Sequence, residues 1–223
     1  MKTRIQEILK FDSIGHSYLC EFMDIPINQS RPKIEYIKDY IGNHLKYNNV
    51  DNDCILNFAS AKKAGGGVLN GAVAQEEDIC RNTLLYKELI KFDYSKFIGI
   101  DNYYSDFFIY SKNIPTITDN YDVINNNCYI TSAAPNFNGY NNFDHKRYRT
   151  VMYNRIKNVM AIAVNNGHRN LTLGAWGCGV FRNDPNLVAN FISEAIDIYG
   201  GNFDKITFVI PDDYNMKIFM DTI

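Results

Sequence analysis

The chain has 223 residues, 46% hydrophobic and 14% aromatic, with a formal net charge of -2. That apolar content suffices for one substantial core and excludes a disordered chain. The weak net charge excludes a global positive field for nucleic acid or an anionic membrane. Five scattered cysteines (Cys20, Cys54, Cys80, Cys128 and Cys178) include no Cys-x-x-Cys pair, which argues against a disulfide framework or a structural zinc site. The opening Met1-Lys2-Thr3-Arg4 lacks the apolar segment of a signal peptide, and no apolar run is long enough to span a bilayer. A soluble protein of the cytoplasm, with the nucleus as the other compartment, is therefore expected.

In chain order, residues 3–12 and 32–45 carry helical spacing; in the second, Ile34, Ile37, Ile41 and Leu45 form one apolar stripe. Residues 53–58 read as a short buried strand, followed by a glycine-rich loop and a helical stretch over 72–90. Residues 107–110 and 128–131 are strand candidates, and Asn125-Asn126-Asn127 between them reads as a loop. A long helix is predicted over 147–165, a strand over 170–174, and a helix over 185–199 with Pro185 in its first turn. A last strand over 206–210 and a helix over 212–222 complete the chain. Such alternation predicts an α/β fold with a mostly parallel sheet covered on both faces, whose ligands gather at the carboxyl ends of strands.

Two unusual loops each follow a predicted strand. The first runs from Asn57 through Ser60 and the triplet Gly65-Gly66-Gly67 to Asn70 and Gln75-Glu76-Glu77. Consecutive glycines let backbone approach a ligand closely, and their amides suit an anion or a sugar; a flexible connection is the other reading. No Walker A loop is present, because Gly71 is followed by Ala72 and Val73, and the dinucleotide fingerprint fails at Asn70. Glu76 and Glu77 open a helix, where acidic residues also serve the helix dipole. Successive helical side chains diverge by about 100°, so the two carboxyls have different tasks and one acts alone as acid and then base.

The second loop is Gly174-Ala175-Trp176-Gly177-Cys178-Gly179-Val180-Phe181-Arg182-Asn183-Asp184, again between a strand and a helix. Its glycines expose amides in the manner of a diphosphate cradle, or form a tight turn whose Trp fills the core. Cys178 has no neighbouring His and reads as a buried, inert thiol.

Gly-Gly-Gly followed after seven residues by Gln-Glu-Glu resembles the signature of poly(ADP-ribose) glycohydrolases. Asn-Phe-Ala-Ser-Ala-Lys ahead of it, and Gly-Ala-Trp-Gly-Cys-Gly-Val-Phe later, are similar to the microbial-type branch. Thr131-Ser132-Ala133-Ala134-Pro135-Asn136 and Gly167-His168-Arg169 extend the likeness over roughly residues 34–213. The resemblance implies a macrodomain-like three-layer α/β/α sandwich with a mixed, mostly parallel central sheet. It implies one catalytic domain over residues 1–223, with residues 1–50 as a helical N-terminal extension packed on it.

By the same resemblance Glu77 is the catalytic acid and Glu76 holds the ribose hydroxyls. Asn57, Ser60 and Asn70 contact the distal ribose, the Gly65-Gly66-Gly67 turn closes over it, and Gln75 completes the signature among the substrate-binding residues. Ala175, Trp176, Gly177, Cys178, Gly179, Val180 and Phe181 wrap the diphosphate, with Phe181 against the ribose. Tyr214 stacks on adenine or is a surface aromatic. The implied activity is hydrolysis of ribose–ribose O-glycosidic bonds in poly(ADP-ribose), with release of ADP-ribose and no cofactor. Alternatives are an ADP-ribose-binding reader, or a hydrolase of mono-ADP-ribose on protein or nucleic acid. His16, His44, His145 and His168 are too dispersed for a metal site or a catalytic triad. The basic run His145-Lys146-Arg147-Tyr148-Arg149 is a solvated helix start or a polyanion contact.

Overall fold

The computed structural model describes residues 2–11, 15–20, 24–48, 50–99, 101–138 and 144–223. Among the described residues seven strands form one sheet: β1 (His16–Cys20), β2 (Lys33–Ile37), β3 (Cys54–Phe58), β4 (Phe108–Ile117), β5 (Val123–Ser132), β6 (Asn170–Leu173) and β7 (Lys205–Val209). Their spatial order is β1-β4-β5-β3-β6-β7-β2. The pairs β5-β3, β3-β6, β6-β7 and β7-β2 are parallel, whereas β1-β4 and β4-β5 are antiparallel. The sheet is thus mixed and mostly parallel, as the alternation predicts.

Eight α-helices among the described residues cover it: α1 (Lys2–Ile8), α2 (Ile41–Tyr47), α3 (Gln75–Asn82), α4 (Leu85–Leu89), α5 (Ser95–Ile98), α6 (His145–Asn165), α7 (Pro185–Tyr199) and α8 (Asp213–Thr222). Side chains alternate across a strand, so β3, β4, β5 and β7 feed two cores. Cys54, Leu56, Ile130, Leu171 and Phe208 pack with Met152, Ile156, Phe191 and Phe219 of α6, α7 and α8. Ile55, Ile109, Tyr129 and Val209 face the other way, onto Ile5, Leu45, Ile79, Leu85 and Phe97 of α1 to α5. The result is a three-layer α/β/α sandwich. Among the described residues no helix is long and apolar enough to cross a membrane.

Helix starts follow the local chemistry. Asp144 accepts from the amides of Lys146 and Arg147, Asp184 from Asn186 ahead of a first-turn Pro185, and Asp212 from Asn215. Each such cap contributes about 1 kcal/mol. In the basic run that opens α6, Arg147 lies over the Tyr103 ring and pairs with Asp101, and Arg149 pairs with Glu194.

Four expectations are corrected. Residues 32–45 are not one helix but strand β2, a break at Lys38-Asp39-Tyr40, and helix α2. Ile34 and Tyr36 pack on one core and Ile37 on the other, so a period-2 strand had imitated a helical stripe. Residues 1–50 are accordingly no helical extension, since they supply both edge strands of the sheet. The helix over 72–90 begins only at Gln75 and splits into α3 and α4. At the split, Thr83 is extended, bridges Thr116, donates to the Ile79 carbonyl and accepts from the Leu85 amide. Asn125-Asn126-Asn127 is not a loop but part of β5. Asn125 donates to the Leu45 carbonyl, while buried Asn127 donates to Val50 O and accepts from Asp53 N.

Candidate active site

Behind the carboxyl ends of β5, β3, β6, β7 and β2 lies a cavity of about 420 Å³. Every parallel strand contributes the segment that follows it: Ala134 after β5, Ser60 to Glu77 after β3, Ala175 to Phe181 after β6, Ile210 to Asn215 after β7, and Tyr40-Ile41 after β2. The two glycine-rich loops face one another because β3 and β6 are neighbours in the sheet.

Those neighbours pair only at Cys54 and Ile55 and then separate. Gln75 fills the gap, accepting from Phe58 N at 2.9 Å and donating to Leu56 O at 2.8 Å. Both ends of its amide are thereby spent on β3 backbone, which locks the first turn of α3 to the central strand.

The two glutamates that follow are buried, 2% exposed for Glu76 and 7% for Glu77, yet both line the cavity. Glu76 has partners at both oxygens: Oε2 accepts from Ser60 N at 2.7 Å and Oε1 from Asn57 Nδ2 at 3.4 Å. Burial pushes its carboxyl up to about 8, against hydrogen bonds led by that from Ser60, with Glu77 adding to the rise. Glu77 is held differently, its Oε1 accepting from Gly67 N at 2.7 Å while Oε2 accepts nothing among the described residues. Gly66 (φ 55°) turns between the two carboxyls. A Cβ there would overlap Glu77 Oε1 and stand 3.1 Å from Glu76 Oε2, so only glycine lets this backbone pass.

The second loop is shaped by Gly177 (φ 76°), where a Cβ would meet Ala134 and Asn183. Asn183 ties the loop down by donating to Pro135 O and Gly177 O. Gly179 differs: nothing lies within 4 Å of a Cβ built there, so no part of the chain demands glycine. The amides of Gly177, Gly179, Val180 and Phe181 donate to no acceptor among the described residues, whereas Cys178 N is used on Ala175 O. Phe181 leans on Tyr104 with centroids 6.0 Å apart. The Cys178 thiol is pushed up to about 12 by burial, which leaves it protonated.

Of the residues singled out in the sequence, Ser60, Gly66, Gly67, Gln75, Glu76, Glu77, Ala175, Trp176, Gly177, Gly179, Val180 and Phe181 line the cavity. Asn57 stands behind the wall, fully buried, and reaches it through Glu76. Gly65 abuts Tyr86, Asn70 is exposed, Cys178 points at Trp176 O, and none of the three lines the wall. Tyr214 is 68% exposed and also outside it; Tyr40, Ile41, Pro211 and Asn215 take up that end. Sequence reading missed Tyr40 and Ile41 because their stretch read as mid-helix. Ala134 could have been found, since it sits in a segment noted for its family likeness. Among the described residues no three His, Cys, Asp or Glu side chains gather as a metal site.

A sequence model of the catalytic domain of microbial-type PARG matches residues 35–119, a span that includes the glycine turn and both glutamates. A search of curated proteins finds no match. Among solved structures, the chain is similar to poly(ADP-ribose) glycohydrolase from Deinococcus radiodurans in complex with ADP-ribose: 30% identity over 86% of this chain and 84% of that one, TM-score 0.74. It is also similar to poly(ADP-ribose) glycohydrolase from Thermomonospora curvata, at 26% identity over 99% and 89% of the two chains, TM-score 0.77. The same protein bound to the inhibitor ADP-HPD matches at 27% identity over 99% and 88%, TM-score 0.73. With fold and sequence agreeing over most of both chains, this chain belongs to the microbial-type poly(ADP-ribose) glycohydrolase family.

Proposed function

We propose that this chain hydrolyses the ribose–ribose O-glycosidic bonds of poly(ADP-ribose) and releases ADP-ribose, with Glu77 as the catalytic acid. The observation that carries the reading is the unequal engagement of the two buried glutamates. Glu76 is fixed at both oxygens, whereas Glu77 is anchored at one and offers the other to the cavity.

The free amides of Gly177, Gly179, Val180 and Phe181 suit a diphosphate, and the open side of Gly179 suits its close approach. Phe181, backed by Tyr104, packs on the distal ribose. Glu76 accepts from the ribose hydroxyls with its remaining lone pairs; Asn57 and Ser60 position it, and Gln75 fixes the helix that carries it. A bound diphosphate adds negative charge and excludes water, which favours a proton on the glutamate pair. Glu77 donates that proton to the departing oxygen as the C1″–O bond breaks. The diphosphate and the carboxylate stabilise the oxocarbenium ion, and Glu77 then takes a proton from the attacking water. We read residues 1–223 as one catalytic unit acting in the cytoplasm; the free thiols of Cys80, Cys128 and Cys178 support that compartment.

Glu77→Gln should lower kcat by roughly 10²–10⁴-fold, the usual worth of general acid catalysis, while ADP-ribose binding measured by calorimetry persists. Wild-type-like turnover in this variant would refute the assignment. Tight ADP-ribose binding without turnover by the wild type would make the protein a reader instead. Cleavage confined to mono-ADP-ribosylated substrates would move the reaction to another linkage.

A further inference from the structure

Lys63 is the one cationic side chain in the cavity wall among the described residues, and Lys62 stands beside it. Both are exposed, and neither ammonium has a carboxylate within 4.0 Å or a hydrogen-bond acceptor among the described residues. The opposite end of the cavity is acidic: Asp78 and Asp212 line it, and Lys38 near it is neutralised by Asp213. The one cation of the cavity wall among the described residues is thus carried by the loop after β3, the loop that also positions the glutamates. The lysines are fixed there by short-range backbone contacts, Lys62 N donating to Ser60 Oγ and Gly66 N to Lys63 O. These are the same Ser60 and glycine turn that position Glu76 and Glu77.

The cradle for the diphosphate of the unit being released lies across the cleft, on uncharged amides, and does not use these cations. What leaves on the Glu77 side is the 2′ oxygen of the preceding adenosine ribose, whose own 5′ carbon bears a second diphosphate. We propose that Lys62 and Lys63 form a subsite for the diphosphate of this departing unit, so that the protein takes polymer in preference to an aglycone without phosphate. The subsite rests on the reading of the site as a poly(ADP-ribose) glycohydrolase.

The test compares wild type, Lys62→Ala/Lys63→Ala and Lys62→Arg/Lys63→Arg on poly(ADP-ribose) and on ADP-ribose carrying a neutral p-nitrophenyl group at the 1″ oxygen. At low ionic strength the alanine pair should lose roughly tenfold in kcat/KM on polymer, mostly through KM, and several-fold less on the neutral aglycone. The polymer's salt dependence should flatten in the same variant, and the arginine pair should retain it. Equal losses on both substrates, or an unchanged polymer rate, would overturn the subsite alone. So would a lysine-dependent preference for an ADP-ribosylated acidic peptide over polymer. A wild type that releases nitrophenol but leaves polymer intact refutes the polymer reading together with the subsite.

Discussion

Replacing Gly66 by alanine separates the placement of the acid from the binding of the ligand. Gly66 has φ 55°, a region that costs an L-residue about 1–2 kcal/mol. Its new Cβ would overlap Glu77 Oε1, so the carboxyl must swing away and give up the 2.7 Å hydrogen bond from Gly67 N. A hydrogen bond to a charged group is worth about 1.5–3 kcal/mol. The combined loss of about 2.5–5 kcal/mol corresponds to a fall in Tm of roughly 5–20 °C for a chain of this length. A displacement of the acid of this kind costs about 10²-fold in turnover. The amides of Gly177 to Phe181 lie across the cavity and are untouched, so ADP-ribose affinity should change far less than kcat. Thermal melting, calorimetry with ADP-ribose and product analysis on poly(ADP-ribose) measure the three effects. If Gly66→Ala turns over within threefold of wild type, the glycine turn does not place Glu77 and the reasoning fails.

Burial holds the Glu76 carboxyl at about 8 in the folded chain, against 4.5 when unconstrained. Below pH 4.5 both states are protonated and no penalty exists. As pH rises towards 8 the unfolded chain loses the proton first, and stability falls by up to a few kcal/mol. Glu76→Gln should therefore gain in Tm relative to wild type as pH rises from 4.5 to 8, and a pH-independent difference would refute this. Arg155 is 1% exposed, pairs with Asp106 at 2.6 Å and donates to Ala133 O and Tyr104 O. It thereby ties α6 to the loops that carry Ala134 and the Tyr104 support of Phe181. Arg155→Met should cost about 2–5 kcal/mol by stranding those carbonyls, visible as a lower urea midpoint, and should raise KM for polymer. An unchanged midpoint would contradict that role.

Legibility in the sequence followed the range of the interactions involved. Helices α6 and α7 and strands β3 and β6 were readable because periodicity, caps and apolar runs are local signals. Strand β2 was not, because the spacing of Ile34, Ile37, Ile41 and Leu45 fits a helix until the parallel partner β7 is present. The Asn125-Asn126-Asn127 segment of β5 looked like a loop because its amides act as backbone partners for Leu45, Val50 and Asp53, distant in sequence.

The sequence by itself determined the alternation of strands and helices, the two glycine-rich loops and the pair Glu76-Glu77, since each is encoded within a few consecutive residues. Only the tertiary structure decided how those pieces act together. Parallel pairing of β3 with β6 sets the loops face to face, and burial against Ser60, Asn57 and Gly67 makes two adjacent, chemically identical glutamates unequal. Desolvation and hydrogen-bond partners are properties of packed neighbours, and most of those neighbours lie ten or more residues away along the chain.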